Sequence, residues 1–347
     1  MKAVVKHTAG PGGIDLQDLD EPRLEPGKVK VRVAAVGVCG TDRLALDGTY
    51  PYEVPLILGH EVSGVVTEVG EGVDPARAAV GDRVALETDA YVCGVCPYCR
   101  VEEYNNCPNR RAIGTTADGG LAEWIVIRSG AVHRLPENVS LLAGALVEPL
   151  SIATHAVLER ATLGVGDIAV VLGPGAIGML VAEVARNTGA RVVLVGRERH
   201  TDRLELAQRL GVDRAVASDT SDPRAVVDEL SHGVGADVVF ECTGAPAVLA
   251  DSPRLLRKDG QLVLLAFFPE PPMLDIETVI KQELSVVGSR GKRPSSYRRS
   301  LRLLSDGKVS VEPLVTHRLP LERWREGFEL LGGGRKIVFD VDLADGA

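Results

Sequence analysis

The stretch Ile168-Ala169-Val170-Val171-Leu172-Gly173-Pro174-Gly175-Ala176-Ile177-Gly178 decides how the second half of this 347-residue chain folds. Five apolar residues read as a strand, the glycines read as a turn, and the run from Ala176 to Asn187 reads as a helix. Gly173 permits a tight turn, and Gly175 lets the backbone approach a pyrophosphate. Gly178 lets helix and strand pack closely, while Ala176 and Ile177 open a helix whose unpaired N–H groups attract anions. Strand, turn and helix in this order predict a dinucleotide site.

Working outward, strands and helices alternate from residue 152. Residues 192–195, 214–217, 236–241, 260–266 and 284–288 read as strands, and 203–210, 223–231 and 247–257 as helices. With 168–172 they make six strands, the number of an α/β fold with a doubly wound parallel sheet and helices on both faces. The end of the second strand selects the dinucleotide. An acidic residue there holds the ribose hydroxyls of NAD, but this chain has Gly196-Arg197-Glu198-Arg199. The missing carboxylate removes repulsion towards a 2′-phosphate, and Arg197 or Arg199 can pair with one, which tilts the reading towards NADP. Glu198 can still serve a ribose, and a solvated charge run opening the next helix is the plain alternative.

Before residue 152 the pattern is different. Residues 29–33 alternate with period two, 62–69, 83–86 and 123–127 look similar, and Gly70, Gly72 and Gly81-Asp82 supply turns. This part reads as mostly β, a small barrel-like arrangement with a lobe at its cysteines. Beyond 288, helices near 297–304 and 321–331 and a strand at 337–341 are expected to return to that first domain, because the second domain's sheet is full.

Four of the six cysteines, Cys93, Cys96, Cys99 and Cys107, fall within fifteen residues. The segment Met1 to His7 does not read as a signal peptide, so metal binding is a better reading than disulfides. Four thiolates at these spacings close tetrahedrally around one structural zinc; redox-active thiols are the alternative. A second set is Cys39 with His60 and Glu61, twenty-one residues on, behind Gly59. Singly, Cys39 reads as a buried apolar residue and His60 as a core histidine. Together, beside a closed zinc site and a dinucleotide domain, they read as a catalytic zinc site with an open position. Glu148, in Val147-Glu148-Pro149-Leu150, is a fourth candidate ligand or a helix-start carboxylate. Thr41 is a candidate proton relay or an ordinary turn hydroxyl. Asp42, His155, Cys242 and the arginines between 290 and 302 read as structural or surface residues.

A net charge of −9 and no long basic run argue against a nucleic-acid surface and for a cytoplasmic protein. The longest uncharged apolar stretch, 168–182, is broken by glycines and falls short of the roughly 20 residues of a membrane span. The expected partner is therefore a small molecule, with no nucleic acid and no membrane.

As a set, these motifs resemble the zinc-dependent medium-chain dehydrogenase/reductase family, the alcohol dehydrogenase superfamily. The resemblance rests on Gly37-Val38-Cys39-Gly40-Thr41-Asp42, Gly59-His60-Glu61-x-x-Gly64, Val80-Gly81-Asp82-Arg83-Val84, the four cysteines and the glycine turn, in family order across most of the chain. It looks most like the polyol dehydrogenases of sorbitol or iditol type, with threonine dehydrogenases close by. Glu148 stands where ethanol-type enzymes carry a cysteine, and no insertion follows the cysteine lobe. The resemblance implies a GroES-like catalytic domain at 1–151, completed by 289–347, around a Rossmann domain at 152–288. It further implies a homotetramer or homodimer with two zinc ions per subunit, one catalytic and one structural. Cys39 and His60 with Glu61 or Glu148 would hold the catalytic one. The implied reaction is oxidation of a secondary alcohol of a polyol to a ketone, with hydride transfer to NAD(P). NAD-type polyol dehydrogenases show Asp at the position of Gly196, so their cofactor is not carried over. Alternatives are an L-threonine-type amino-alcohol dehydrogenase, a hexose 1-dehydrogenase and, from another class, a nucleotide-binding regulatory protein without turnover.

Overall fold

The computed structural model describes residues 1–331 and 334–341. The chain divides into two compact units. The first comprises Met1–Ser151, Lys292–Gly307 and the chain from Val311; the second comprises Ile152–Gly291 and Lys308–Ser310.

The first unit is mostly β. Its central strand, Lys28–Gly37, alternates in sequence because Val29, Val31 and Val33 point into the core and are fully buried. It pairs antiparallel with Glu61–Val69, Trp124–Arg128 and the C-terminal strand Ile337–Asp340. Arg83–Leu86 and Val132–Arg134 extend the sheet beyond Glu61–Val69, and His317–Pro320 extends it beyond Ile337–Asp340. A second sheet joins Ile14–Asp18, Lys2–Lys6 and Leu56–Ile57. The strand His317–Pro320 has no sequence signature, since it lies at the sheet's edge and only Leu319 is buried.

One register detail builds the site. The pairing of Lys28–Gly37 with Glu61–Val69 sets Gly37 opposite Glu61, which brings Cys39 beside His60. Two glycines make this possible. Gly59 has φ +89°, and a Cβ there would meet the Leu121 side chain at 2.6 Å. A Cβ on Gly37 would lie 2.0 Å from a Glu61 carboxylate oxygen.

The second unit carries a six-stranded parallel sheet in the order Arg214–Ala217, Arg191–Gly196, Ile168–Leu172, Ala236–Glu241, Leu256–Leu264, Ser285–Gly288. This is the doubly wound α/β arrangement, with its switch point between Ile168–Leu172 and Ala236–Glu241. The helix expected over 247–257 is shorter: Pro246–Asp251 gives way to a 3-10 turn, Ser252–Leu255, that contains Pro253. The fifth strand then begins at Leu256, earlier than expected. A bulge between Leu256 and Gln261, with Asp259 at φ 56°, makes its opening look like a turn. The helix Ile276–Lys281 buries none of its side chains and therefore has no apolar periodicity to read. Among the described residues no helix is long and apolar enough to cross a membrane.

Candidate active site: two cysteine-containing clusters and a glycine turn

Cys39 precedes the helix Gly40–Asp47, and its backbone N–H donates to Asp42 Oδ2 at 2.8 Å. Cys39, His60 and Glu61 each offer a ligand atom within 4.8 Å of the others. Asp42 is buried in the same pocket, its Oδ1 lying 3.7 Å from His60 Nδ1. Neither of these two atoms has a hydrogen-bond partner. Thr41 is half-buried in the helix's first turn, where its carbonyl accepts from the Tyr52 hydroxyl at 2.7 Å.

Two buried lysines join the pocket. Lys336 Nζ donates to both Glu61 carboxylate oxygens, at 2.6 Å to Oε1, and to the Val38 carbonyl at 3.1 Å. Lys292 Nζ donates to Glu148 Oε1. Glu148 lies in the first turn of the helix Val147–His155 and is as deeply buried as its lysine. Burial raises the Glu61 pKa despite Lys336, whereas for Glu148 Lys292 and His60 prevail over burial and hold its carboxyl below the usual range. Burial opposes a charged His60, yet Asp42, Cys39 and Glu148 outweigh it and raise its pKa to about 10. The pocket attracts positive charge at His60. One sulfur, one imidazole nitrogen and a choice of carboxylate oxygens, with two orphaned polar atoms, fit a zinc ion with a position left over.

The cysteine lobe has a different geometry. Cys93, Cys96, Cys99 and Cys107 lie within 4.8 Å of one another, all as free thiols. Cys93 Sγ is 3.9 Å from Cys99 Sγ and 3.7 Å from Cys107 Sγ. Those separations are far beyond a disulfide's roughly 2.05 Å. They match the roughly 3.8 Å edge of a tetrahedron whose centre is about 2.3 Å from each sulfur, the zinc–thiolate distance. The backbone N–H groups of Cys93 and Cys99 donate to the Cys107 and Cys96 sulfurs at 3.5 and 3.4 Å. All four sulfurs are used, so a metal here has no open position.

In the second unit, Gly173 has φ +101°, and a Cβ on Gly178 would lie 1.8 Å from the Gly173 carbonyl oxygen. A Cβ on Gly175 would meet nothing within 4 Å, leaving room beside the backbone for a phosphate. Gly175 caps the helix Ala176–Arg186 without any side-chain cap, so the N–H groups of its first turn, at Ala176 and Ile177, stay available. Gly196 ends its strand facing Pro174 and Leu204, and Arg197 after it is exposed. Arg203 is buried, with a guanidinium N–H donating to the Pro174 carbonyl at 3.2 Å. Burial lowers its pKa, so the site bears the cost of a desolvated cation next to the glycine turn.

Comparison with known proteins follows the same plan. Residues 25–137 match the alcohol dehydrogenase GroES-like domain, and residues 176–306 match the zinc-binding dehydrogenase family. The chain is 38% identical to a sorbitol dehydrogenase of Halalkalibacterium halodurans over 338 residues, 97% of this chain and 98% of the relative. The chain belongs to the zinc-dependent medium-chain dehydrogenase/reductase family. A D-arabitol-phosphate dehydrogenase of Enterococcus avium is 37% identical, over 99% of this chain and 97% of that one. A zinc-binding dehydrogenase of Sinorhizobium meliloti, solved bound to NADP, superposes with a TM-score of 0.89 at 30% identity, covering 98% of this chain and 99% of that one.

In this dehydrogenase the sequence-predicted residues assemble into the three places described. Glu148 is absent from the 4.8 Å cluster of Cys39, His60 and Glu61 and is engaged by Lys292. Sequence reasoning missed Lys292, Lys336 and Arg203, and placed Asp42 among structural or surface residues although it faces His60. Only Asp42 carried a local signal, three residues after Cys39 in a helix's first turn.

Proposed function

We propose that this dehydrogenase oxidises a secondary alcohol of a polyol or sugar alcohol to the ketone, with hydride transfer to NAD(P), and that it prefers NADP. The observation that carries the proposal is the cluster of Cys39, His60 and Glu61 with Glu148 alongside, a donor set that leaves a coordination position for an oxygen ligand. The sorbitol and arabitol-phosphate dehydrogenase relatives, similar along nearly their whole length, support a polyol as the substrate.

Cys39 and His60 hold the catalytic zinc, with Glu61 or Glu148 as third ligand; Cys93, Cys96, Cys99 and Cys107 hold the structural one. Zinc in the first site supplies Lewis acidity that lowers the pKa of a substrate hydroxyl. Asp42 faces His60 and orients it, as outer carboxylates orient ligating imidazoles. Lys336 and Lys292 offset the charges of Glu61 and Glu148, so neither carboxylate adds a full negative charge to the pocket. Such a pocket leaves a divalent ion most of its polarising power. Thr41 receives the departing proton first and passes it to solvent. The N–H groups at Ala176 and Ile177 hold the pyrophosphate beside Gly173, Gly175 and Gly178, and the cofactor carries the hydride chemistry. Gly196 presents no carboxylate, and Arg197 with the buried Arg203 favours a 2′-phosphate; the Sinorhizobium meliloti relative is bound to NADP.

Free thiols throughout suit the reducing cytoplasm. The mostly exposed sheet-edge strand Ser285–Gly288 and the neighbouring exposed side chains of Met273, Ile276 and Ile280 support a homodimer or homotetramer.

The test is a screen of NAD and NADP, by reduced-nicotinamide absorbance, against polyols, their phosphates, aldoses, L-threonine and simple alcohols, with and without zinc removal. Polyol turnover with NADP, lost on zinc removal, is expected. Turnover confined to L-threonine or to an aldose would move the enzyme to the amino-alcohol or hexose 1-dehydrogenase reading. No reduced cofactor with any substrate would leave a nucleotide-binding protein without turnover.

A further inference from the structure

We propose that Glu103 and Arg293 form a positioning link through which the cysteine lobe fixes Lys292 against Glu148, and so sets the geometry of the catalytic metal pocket. The inference rests on the reading of that pocket given above.

Glu102 and Glu103 lie in the lobe, between its third and fourth cysteines. Glu102 holds φ 56°, a left-handed conformation that few non-glycine residues adopt and that the surrounding lobe must maintain. The turn presents two carboxylates to a single segment of the chain. Glu103 Oε1 accepts from an Arg293 guanidinium N–H at 2.6 Å, and Glu102 Oε2 accepts from Arg298 at 3.1 Å. Arg293 precedes the helix Pro294–Ser305, and its backbone N–H donates to Ser296 Oγ at 3.1 Å.

The residue before Arg293 is Lys292, the partner of Glu148. Adjacent Cα atoms are about 3.8 Å apart across a rigid peptide, so Arg293 cannot shift far without carrying Lys292 with it. The far side of the same segment is also held. Ser300 accepts a hydrogen bond from Ser151 at 3.3 Å, and Ser151 lies on the helix Val147–His155 that carries Glu148. Residues 292–300 are therefore held by the lobe through Arg293 and Arg298 and by the Glu148 helix through Ser300. Glu103 and Arg293 are each about a quarter exposed, whereas Lys292 and Glu148 are 6% and 7% exposed in their side chains. A pair reached by water adds little to stability by itself. A buried pair depends steeply on its geometry, and here it depends on its neighbour for that geometry.

A staple that only held the lobe in place would give a different result from a link that sets the metal pocket, and metal titration separates them. Zinc is titrated calorimetrically into the full-length apoprotein for wild type, Glu103→Gln and the reversed pair Glu103→Arg/Arg293→Glu. Turnover of the same proteins is measured with the best polyol and NADP. The cysteine-lobe site is identified as the one lost in Cys107→Ser. In Glu103→Gln the lobe site is expected to keep its affinity while the other site weakens about tenfold, the usual scale for support around a metal site. Its kcat should fall by a similar factor with the KM for NADP unchanged, and the reversed pair should recover most of both losses. A folded Glu103→Gln protein with unaltered affinity and kcat overturns the link, as does weakening confined to the lobe site or a reversed pair that recovers nothing. Uptake of one zinc equivalent by wild type overturns the reading of the pocket, and the link with it.

Discussion

The cysteine lobe and the Cys39–His60 pocket both gather metal ligands from a short stretch and a turn, yet they solve the problem of buried charge in opposite ways. The lobe has four sulfurs within reach of one centre and, among the described residues, no buried lysine donating to them, so a metal is its own charge compensation. The pocket brings cations with it: Lys336 for Glu61 and Lys292 for Glu148. A site that compensates its carboxylates internally can keep a coordination position unsatisfied, because the ion is not needed to hold the fold together. The difference between a closed structural site and an open chemical one lies less in the ligands than in who neutralises them.

If that comparison holds, the largest stability effect in the pocket comes from removing a lysine. Lys336→Met removes the buried cation that donates to both Glu61 carboxylate oxygens and should cost about 3–5 kcal/mol in denaturant unfolding. Adding Glu61→Gln should return much of that loss, whereas equal stabilities for the single and double variants would show that Lys336 does not act on Glu61.

Glu183 is the counter-example within the same chain, a buried carboxylate whose Oε2 accepts the Ser310 N–H at 2.9 Å while its Oε1 has no partner. Burial raises its pKa from 4.5 to about 7. Between those values the unfolded chain is ionised there while the folded chain keeps its proton, so folding loses stability as pH rises, and the loss levels off above about 7. Glu183→Gln removes this loss. Its stability relative to wild type should climb from pH 4.5 to 7 by up to about 3 kcal/mol. A difference that does not change with pH across that window would rule out the assignment.

A smaller effect is expected at Asp42. Asp42→Asn keeps the acceptor for the Cys39 N–H but removes the charge facing His60, and zinc affinity in the pocket should fall about 10- to 100-fold with the lobe site unaffected. The smallest concerns the cofactor. Gly196→Asp should move kcat/KM towards NAD, at a modest stability cost because its Cβ would meet Pro174 at 2.9 Å. An unchanged NADP preference would show that Gly196 is not the selector.

Local features were legible in the sequence, and features joined by the fold were not. The glycine turn and the four cysteines are read within a few residues, and the structure brings each set together as spacing alone requires. Cys39 and His60 were legible as types, but their meeting depends on the register that sets Gly37 opposite Glu61. Lys292 and Lys336 lie 144 and 275 residues from their glutamates, a distance no periodicity bridges. Asp42 reads as structural in the sequence and does cap the Cys39 N–H, whereas its approach to His60 depends on the fold and left no mark in the sequence. The fifth strand's early start was hidden by its bulge, where Asp259 and Gly260 imitate a turn.

The most direct test of the division between the two clusters is zinc content and turnover measured side by side in wild type, Cys39→Ser and Cys107→Ser. Wild type should hold two zinc equivalents per chain and each variant one. Cys39→Ser should fold and lose turnover by about a thousandfold or more, since metal polarisation contributes several kcal/mol. Cys107→Ser should be less stable but keep turnover within about tenfold per folded molecule. A Cys39→Ser protein that retains both zinc equivalents and wild-type turnover would contradict the account.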